Sequence, residues 1–183
     1  MILIALGANL PSPSGPPRAT LEAALASLPA RGLAVTARSP WYRTPAFPPG
    51  SGPDFVNGAA VLAGDLPPAQ VLGALLATER ALGRLRGRRW APRACDIDLL
   101  AVDGLVLPDA ETVTGWMTLD PGAQALAAPE GLLLPHPRIQ DRGFVLKPLA
   151  DVAPDWVHPL SGRRVRRMLA DLPASALAGI APL

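Results

Sequence analysis

The chain has 183 residues, a formal net charge of +2, 49% hydrophobic residues and 17% charged ones. Such a composition excludes a disordered chain and suffices to bury a sizeable core in one domain over residues 1–183. Pro, Gly or Arg interrupts every apolar run before it is long enough to cross a bilayer. Cys95 is the single cysteine, which rules out an internal disulfide and makes a reducing, cytoplasmic setting the expectation. The pI near 9.3 reflects arginine usage, with Lys147 the only lysine.

In chain order, Ile2 to Leu6 is a short apolar run ended by Gly7-Ala8-Asn9, the pattern of a central strand entering a loop. Residues 11–17 are rich in Pro, Ser and Gly and read as loop. The spacing of Leu21, Ala24, Leu25 and Leu28 predicts an amphipathic helix from Ala19 to Leu28, stopped by Arg31-Gly32. Leu33 to Tyr42 alternates roughly by two and predicts one strand. A Pro/Gly-rich loop follows from Thr44 to Pro53, then a strand from Phe55 to Leu62 that is antiparallel to its predecessor. Pro67-Pro68 opens a helix whose face is Val71, Leu72, Leu75, Leu76 and Leu82, and Gly83 ends it. After an arginine-rich loop, Asp96 to Leu100 is a strand. Asp103-Gly104 is a hairpin signal between Leu99–Val102 and Leu105–Leu107. The weakly periodic 109–130 reads as an insertion, order returns at Leu132, and Val165 to Leu172 is a last short helix. The order β-α-β-β-α-β predicts an α+β fold with a ferredoxin-like core: an antiparallel sheet, helices packed on it, and extra C-terminal elements.

The chemistry concentrates between Glu79 and Leu100. Arg80, Arg84, Arg86, Arg88, Arg89 and Arg93 precede Asp96-Ile97-Asp98. Guanidinium forks match phosphate oxygens two at a time. On a strand, residues two apart share a face, so the two carboxylates stand side by side and repel unless a cation lies between them. Oxygen ligands suit magnesium, which completes its shell with nucleotide phosphates. Together these features suggest nucleotide-dependent phosphoryl transfer. Each half has a plainer reading: the arginines as a solvated surface or nucleic-acid patch, the acids as exposed positions on a half-buried edge strand. There is no Walker loop, kinase catalytic loop, nucleophile elbow or zinc pattern, and only His136 and His158 are available as histidines. Phosphoryl transfer here would rest on positioning, arginine and magnesium.

Five ordered blocks carry a family resemblance. They are Leu6-Gly7-Ala8-Asn9-Leu10; Ser39-Pro40-Trp41-Tyr42-Arg43-Thr44-Pro45; Asp54-Phe55-Val56-Asn57; the stretch from Glu79 through Gly83-Arg84, Arg86, Arg89-Trp90, Pro92-Arg93 to Asp96-Ile97-Asp98; and Pro135-His136-Pro137-Arg138 with Arg142-Gly143-Phe144-Val145-Leu146. In these the chain resembles the 6-hydroxymethyl-7,8-dihydropterin pyrophosphokinases of folate biosynthesis, which move the terminal diphosphate of ATP to the hydroxymethyl group of a reduced pterin and release AMP.

The resemblance implies that Asp96 and Asp98 hold two magnesium ions with ATP, and that Arg84 and Arg93 stabilise the migrating diphosphate. It implies ATP contacts at Glu79, Arg86, Arg89, Trp90, Arg93, His136 and Arg142. For the pterin it implies an aromatic sandwich of Phe55 and Phe144, an amide from Asn57, and an edge formed by Thr44, Pro45, Phe47 and Trp90. A flat bicycle is well held between aromatic faces with its polar rim read by hydrogen bonds. The plain alternatives are core phenylalanines and a loop histidine capping local backbone. The chain departs from the family pattern in Ala91, where glycine is common, in Gly131, where some relatives place an arginine, and in the length of 109–130. The two loops, 44–53 and 83–92, are expected to close over substrates. The partners implied are ATP and the dihydropterin, acting on a monomer, with neither nucleic acid nor membrane.

Overall fold

The structure is a computed structural model that describes residues 1–46, 50, 52–83, 93–120, 123 and 129–183. Its frame is a six-stranded antiparallel sheet: β1 (Ile2–Ala8), β2 (Ala34–Arg38), β3 (Tyr42–Thr44), β4 (Phe55–Ala63), β5 (Asp96–Val102) and β6 (Ala181–Pro182). The path runs β5-β1-β4-β3-β6, and β2 also pairs with β4. All seven residues of β1 are buried. An uninterrupted apolar strand of this kind fits only the middle of a sheet covered on both faces.

Helices supply that cover. On one face lie α1 (Pro17–Ser27) and α2 (Pro68–Ala81), whose Leu21, Ala24, Leu25, Val71 and Leu75 pack with Ile4, Leu6, Ile97 and Leu99. On the other lie α4 (Gly143–Val152) and α5 (Val165–Ala170), whose Val145, Leu146, Leu149, Val165 and Met168 pack with Leu3, Ala5 and Leu100. Each fully buried Leu or Ile contributes roughly 1.5–3 kcal/mol. A shorter helix, α3 (Ala110–Thr118), lies within the segment read as an insertion. Its N-cap is Asp109, whose carboxylate accepts from Thr112 N at 2.8 Å.

The predicted βαββαβ core is present with one strand divided in two, giving β-α-β-β-β-α-β, and two local expectations are corrected. Leu33 to Tyr42 is not one strand but β2 and β3, broken at Ser39-Pro40. Ser39 Oγ accepts from Ala59 N at 3.0 Å, and Ser39 N donates to Ala59 O at 3.0 Å. Pro40 has no N–H to continue the ladder, so the chain re-enters the sheet only at Tyr42. The Asp103-Gly104 turn does not lead into a hairpin partner for β5. Leu107 instead bridges Leu134, with hydrogen bonds of 2.8 and 3.0 Å, because the edge of β5 is covered by other groups.

Candidate active site

Strand β5 lies at the edge of the sheet, and its free side is capped at two points. Ile97 N donates to Glu79 Oε1 at 2.7 Å, and His136 N donates to Leu100 O at 2.8 Å. An exposed edge leaves amides and carbonyls unpaired, and both contacts answer that need. They also bring α2 and the His136 loop to the acidic pair. Glu79 is only 1% exposed. Its carboxylate reaches the backbone between Asp96 and Asp98, so it positions the strand from below.

Ile97 points into the core of α1 and α2, which turns Asp96 and Asp98 to the α4 side. Across β1 they stand opposite Gly7 and Ala5. Each carboxylate is faced by an arginine. Arg93 Nη1 donates to Asp96 Oδ1 at 2.6 Å, and Arg142, at the N-cap of α4, brings Nη1 within 3.6 Å of Asp98 Oδ2. Arg142 also lies 5.8 Å from the centre of the Phe144 ring. Burial lowers the pKa of Arg142, Asp98 opposes that shift, and the guanidinium remains charged. His136 is densely surrounded although part of its surface is exposed. Burial pulls its imidazole below the usual value, Asp98 opposes this, and Arg142 and Arg138 reinforce it. Arg138 N donates to His136 Nδ1 at 3.1 Å, which leaves the proton of the neutral ring on Nε2.

A second group of residues lies across β1. Asn57 pairs with Gly7 in β1 and with Tyr42 in β3. Asn57 is buried, and its Nδ2 donates to Thr44 Oγ1 at 2.6 Å. Gly7 makes room for this: a Cβ there would sit 2.7 Å from Asn57 Oδ1 and 3.9 Å from Phe55 Cδ1. Phe55 is half-buried at the start of β4. Phe144 is 38% exposed on the first turn of α4, the face that turns away from the core formed by Val145 and Leu146. Among the described residues no ring contact joins the two phenylalanines. Gly7, Asn57, Asp96 and Asp98 thus lie at one end of the sheet, with Arg142 beside Asp98.

The model of the 7,8-dihydro-6-hydroxymethylpterin-pyrophosphokinase family matches residues 3–154, which spans all of these elements. The chain belongs to that family. A Methylorubrum extorquens 2-amino-4-hydroxy-6-hydroxymethyldihydropteridine pyrophosphokinase is 38% identical over 175 residues, 95% of this chain and 94% of that protein. One from Synechocystis is 35% identical over 181 residues, 98% of this chain and 80% of that protein. The wild-type Plasmodium falciparum HPPK-DHPS crystal structure superposes with a TM-score of 0.58 at 12% identity. It covers 92% of this chain, which spans 44% of that longer one, and it speaks for the fold alone.

Of the site residues that the family pattern implies, the structure joins Arg93 to Asp96, Arg142 to Asp98 and Phe144, Glu79 to Ile97, and Asn57 to Thr44. Pro45 follows Thr44 at the end of β3. Arg84, Arg86, Arg89, Trp90 and Phe47 lie outside the described residues, as does most of the loop thought to carry the nucleotide contacts.

One residue to which sequence reasoning gave no role is Asn9. It is buried, its Nδ2 donates to Pro53 O at 3.1 Å, and its Oδ1 accepts from Arg93 N at 2.9 Å. Its own N donates to Arg93 O at 3.0 Å. Asn9 therefore ties Pro53, the last residue of the loop 44–53, and Arg93, which follows the loop 83–92, to the end of β1. The only signal in the sequence was a buried strand ending in Gly-Ala-Asn, and such a pattern names no partner.

Proposed function

We infer that this protein transfers the terminal diphosphate of ATP to the hydroxymethyl group of 6-hydroxymethyl-7,8-dihydropterin, releasing AMP, as a step of folate biosynthesis. The observation that carries the reading is the acidic pair on one face of an edge strand, each carboxylate opposite an arginine, inside a family match that spans most of the chain.

The reaction moves a highly charged group, and the side chains at hand are suited to holding it. Arg93 and Arg142 place positive charge beside the carboxylates, where phosphate oxygens would take up their hydrogen bonds. His136, neutral with its proton on Nε2, offers a donor to a phosphate or ribose oxygen near Asp98. Asn57 offers amide groups to the rim of the pterin, Thr44 fixes the orientation of that amide, and Phe55 and Phe144 supply aromatic faces. Asp96 and Asp98 also suit magnesium. Among the described residues no cluster of three or more His, Cys, Asp or Glu side chains exists to cage an ion, whereas magnesium is commonly held by one or two carboxylates with substrate phosphates completing the shell. Asp96 and Asp98 would hold two such ions, which when bound neutralise charge on the phosphate oxygens.

Location in the cytoplasm fits the lone, buried Cys95. Among the described residues no helix is long and apolar enough to cross a membrane. A monomer is the state in which we read the site, and sedimentation velocity tests it.

The decisive assay is AMP release from ATP and magnesium with and without the dihydropterin. Pterin-dependent AMP is expected. Asp98→Ala should lower kcat on the order of 10³-fold, as loss of several kcal/mol of charge stabilisation requires. AMP release that ignores the pterin, or an undiminished rate in Asp98→Ala, would overturn the assignment.

A further inference from the structure

The family match ends at residue 154, and no site residue lies beyond Phe144. The last ten residues nevertheless touch two sides of that site. Strand β6 pairs with β3, setting Ala181 opposite Arg43 and Pro182 opposite Tyr42, and Leu183 N donates to Trp41 O at 2.9 Å. Two residues earlier, Gly179 has φ +75°, and a Cβ there would lie 2.6 Å from Pro45 Cγ and 3.1 Å from its Cδ. The backbone of Gly179 is therefore pressed flat on the proline that follows Thr44. On the other side, the 3-10 turn Ala174–Leu177 rests on the start of α4. A side chain at Gly143 would overlap the carbonyl of Ala176 and come within 3.0 Å of Leu177 Cδ2. Gly143 separates Arg142 from Phe144.

We propose that residues 174–183 are a strap that sets the distance between the Thr44–Pro45 edge and Phe144, and so positions the pterin. The proposal rests on the reading of the pterin site given above. The physical case is that β3 and α4 are otherwise joined by few direct groups: Tyr42 Oη donates to Asp151 Oδ2 at 2.8 Å, and Lys147 Nζ lies 5.9 Å from the Tyr42 ring. Both contacts lie toward the middle and far end of the helix. At its first turn, where Phe144 sits, the strap is the element in contact with both walls. No residue from 174 to 183 is itself buried, so the strap adds little to the core, and its contacts fall on residues that flank the pocket. Nor does it meet Arg93, Asp96 or Asp98 in any hydrogen bond or ion pair among the described residues.

The test is steady-state kinetics on two full-fold variants. Gly179→Val puts a branched side chain against Pro45 in a backbone conformation that valine resists. A chain ending at Leu172 removes the strap outright. The KM for the dihydropterin is expected to rise about ten-fold or more in both, with the Kd for ATP within two-fold of wild type and circular dichroism unchanged. Asn57→Ala and Phe144→Ala serve as reference variants for the pocket. If these raise the pterin KM while whichever strap variant keeps a wild-type spectrum does not, the strap has no positioning role. If the reference variants leave the pterin KM unchanged as well, the pocket is misplaced and the inference falls with it. Equal loss of ATP and pterin affinity in Gly179→Val would also overturn the proposal, since a local wall should not reach the nucleotide.

Discussion

Gly7→Ala tests the packing that holds the pterin amide in place. The added methyl would lie 2.7 Å from Asn57 Oδ1 and 3.8 Å from Asn57 Cγ, so the amide must swing away. β1 is central and fully buried, which leaves the backbone little room to yield. Overpacking of this kind costs about 1–3 kcal/mol. Movement of the amide would also strain or break the 2.6 Å hydrogen bond from Asn57 to Thr44, where a buried group left without a partner costs about 1–3 kcal/mol more. For a chain of this size each kcal/mol shifts Tm by roughly 2–4 °C, so a combined loss of about 2–6 kcal/mol lowers Tm by roughly 4–24 °C. The pterin KM should rise on the order of 10- to 100-fold, the kinetic equivalent of about 1.4–2.8 kcal/mol, while ATP affinity should fall less, because the atoms the methyl meets first belong to Asn57 and Phe55. The double variant Gly7→Ala/Asn57→Ala sharpens the test. With the clashing oxygen gone, its stability loss should fall short of the sum of the single changes, yet the pterin KM should stay high because the amide is missing. Additive stability losses, or a Gly7→Ala enzyme with wild-type Tm and pterin KM, would refute the reasoning.

Three further expectations follow from contacts outside the pterin pocket. Glu79→Ala leaves Ile97 N–H without its acceptor and should cost about 1–3 kcal/mol along with most of kcat, whereas Glu79→Gln, which still offers an oxygen, should keep the larger part of both; equal losses in thermal melts would remove the positioning role. Asn9→Asp retains the oxygen that accepts from Arg93 N but loses the donor to Pro53 O, so the pterin KM should rise more than the ATP KM, as paired KM measurements would reveal. His158 is buried, its Nδ1 accepts from Leu160 N and Ser161 N, and among the described residues Nε2 has no hydrogen-bond partner. Burial holds its pKa below the ordinary 6.5. The unfolded chain therefore takes up a proton first, and stability should fall as pH drops below about 6.5, by at most about 1.4 kcal/mol per pH unit. His158→Asn should flatten that slope in denaturant titrations at pH 5 to 7, and an unchanged slope would exclude His158 as its source.

Much of the site was legible because it depends on short-range geometry. A two-residue strand period by itself puts Asp96 and Asp98 on one face and Ile97 on the other. The apolar run of β1, the Pro-initiated α2 and its stop at Gly83 are local signals too, and they yield the βαββαβ order without knowledge of any contact. The Asp109 cap of α3 was equally local, with Thr112 three residues on, but the weak apolar periodicity of 110–118 hid it. What the tertiary structure alone decided are the partners of polar groups across the chain. Ser39 breaks its strand because Ala59 takes its hydrogen bonds, and Leu107 leaves the expected hairpin because Leu134 pairs with it. That Glu79, on α2, accepts from the edge amide of Ile97 is likewise not visible in its place beside an arginine loop. Arg142 meets Asp98, Asn9 holds Pro53 and Arg93, and residues 174–183 reach back to Pro45. Propensity and periodicity describe how a segment folds upon itself; which distant donor satisfies which buried acceptor is set only when the sheet has assembled and water has left.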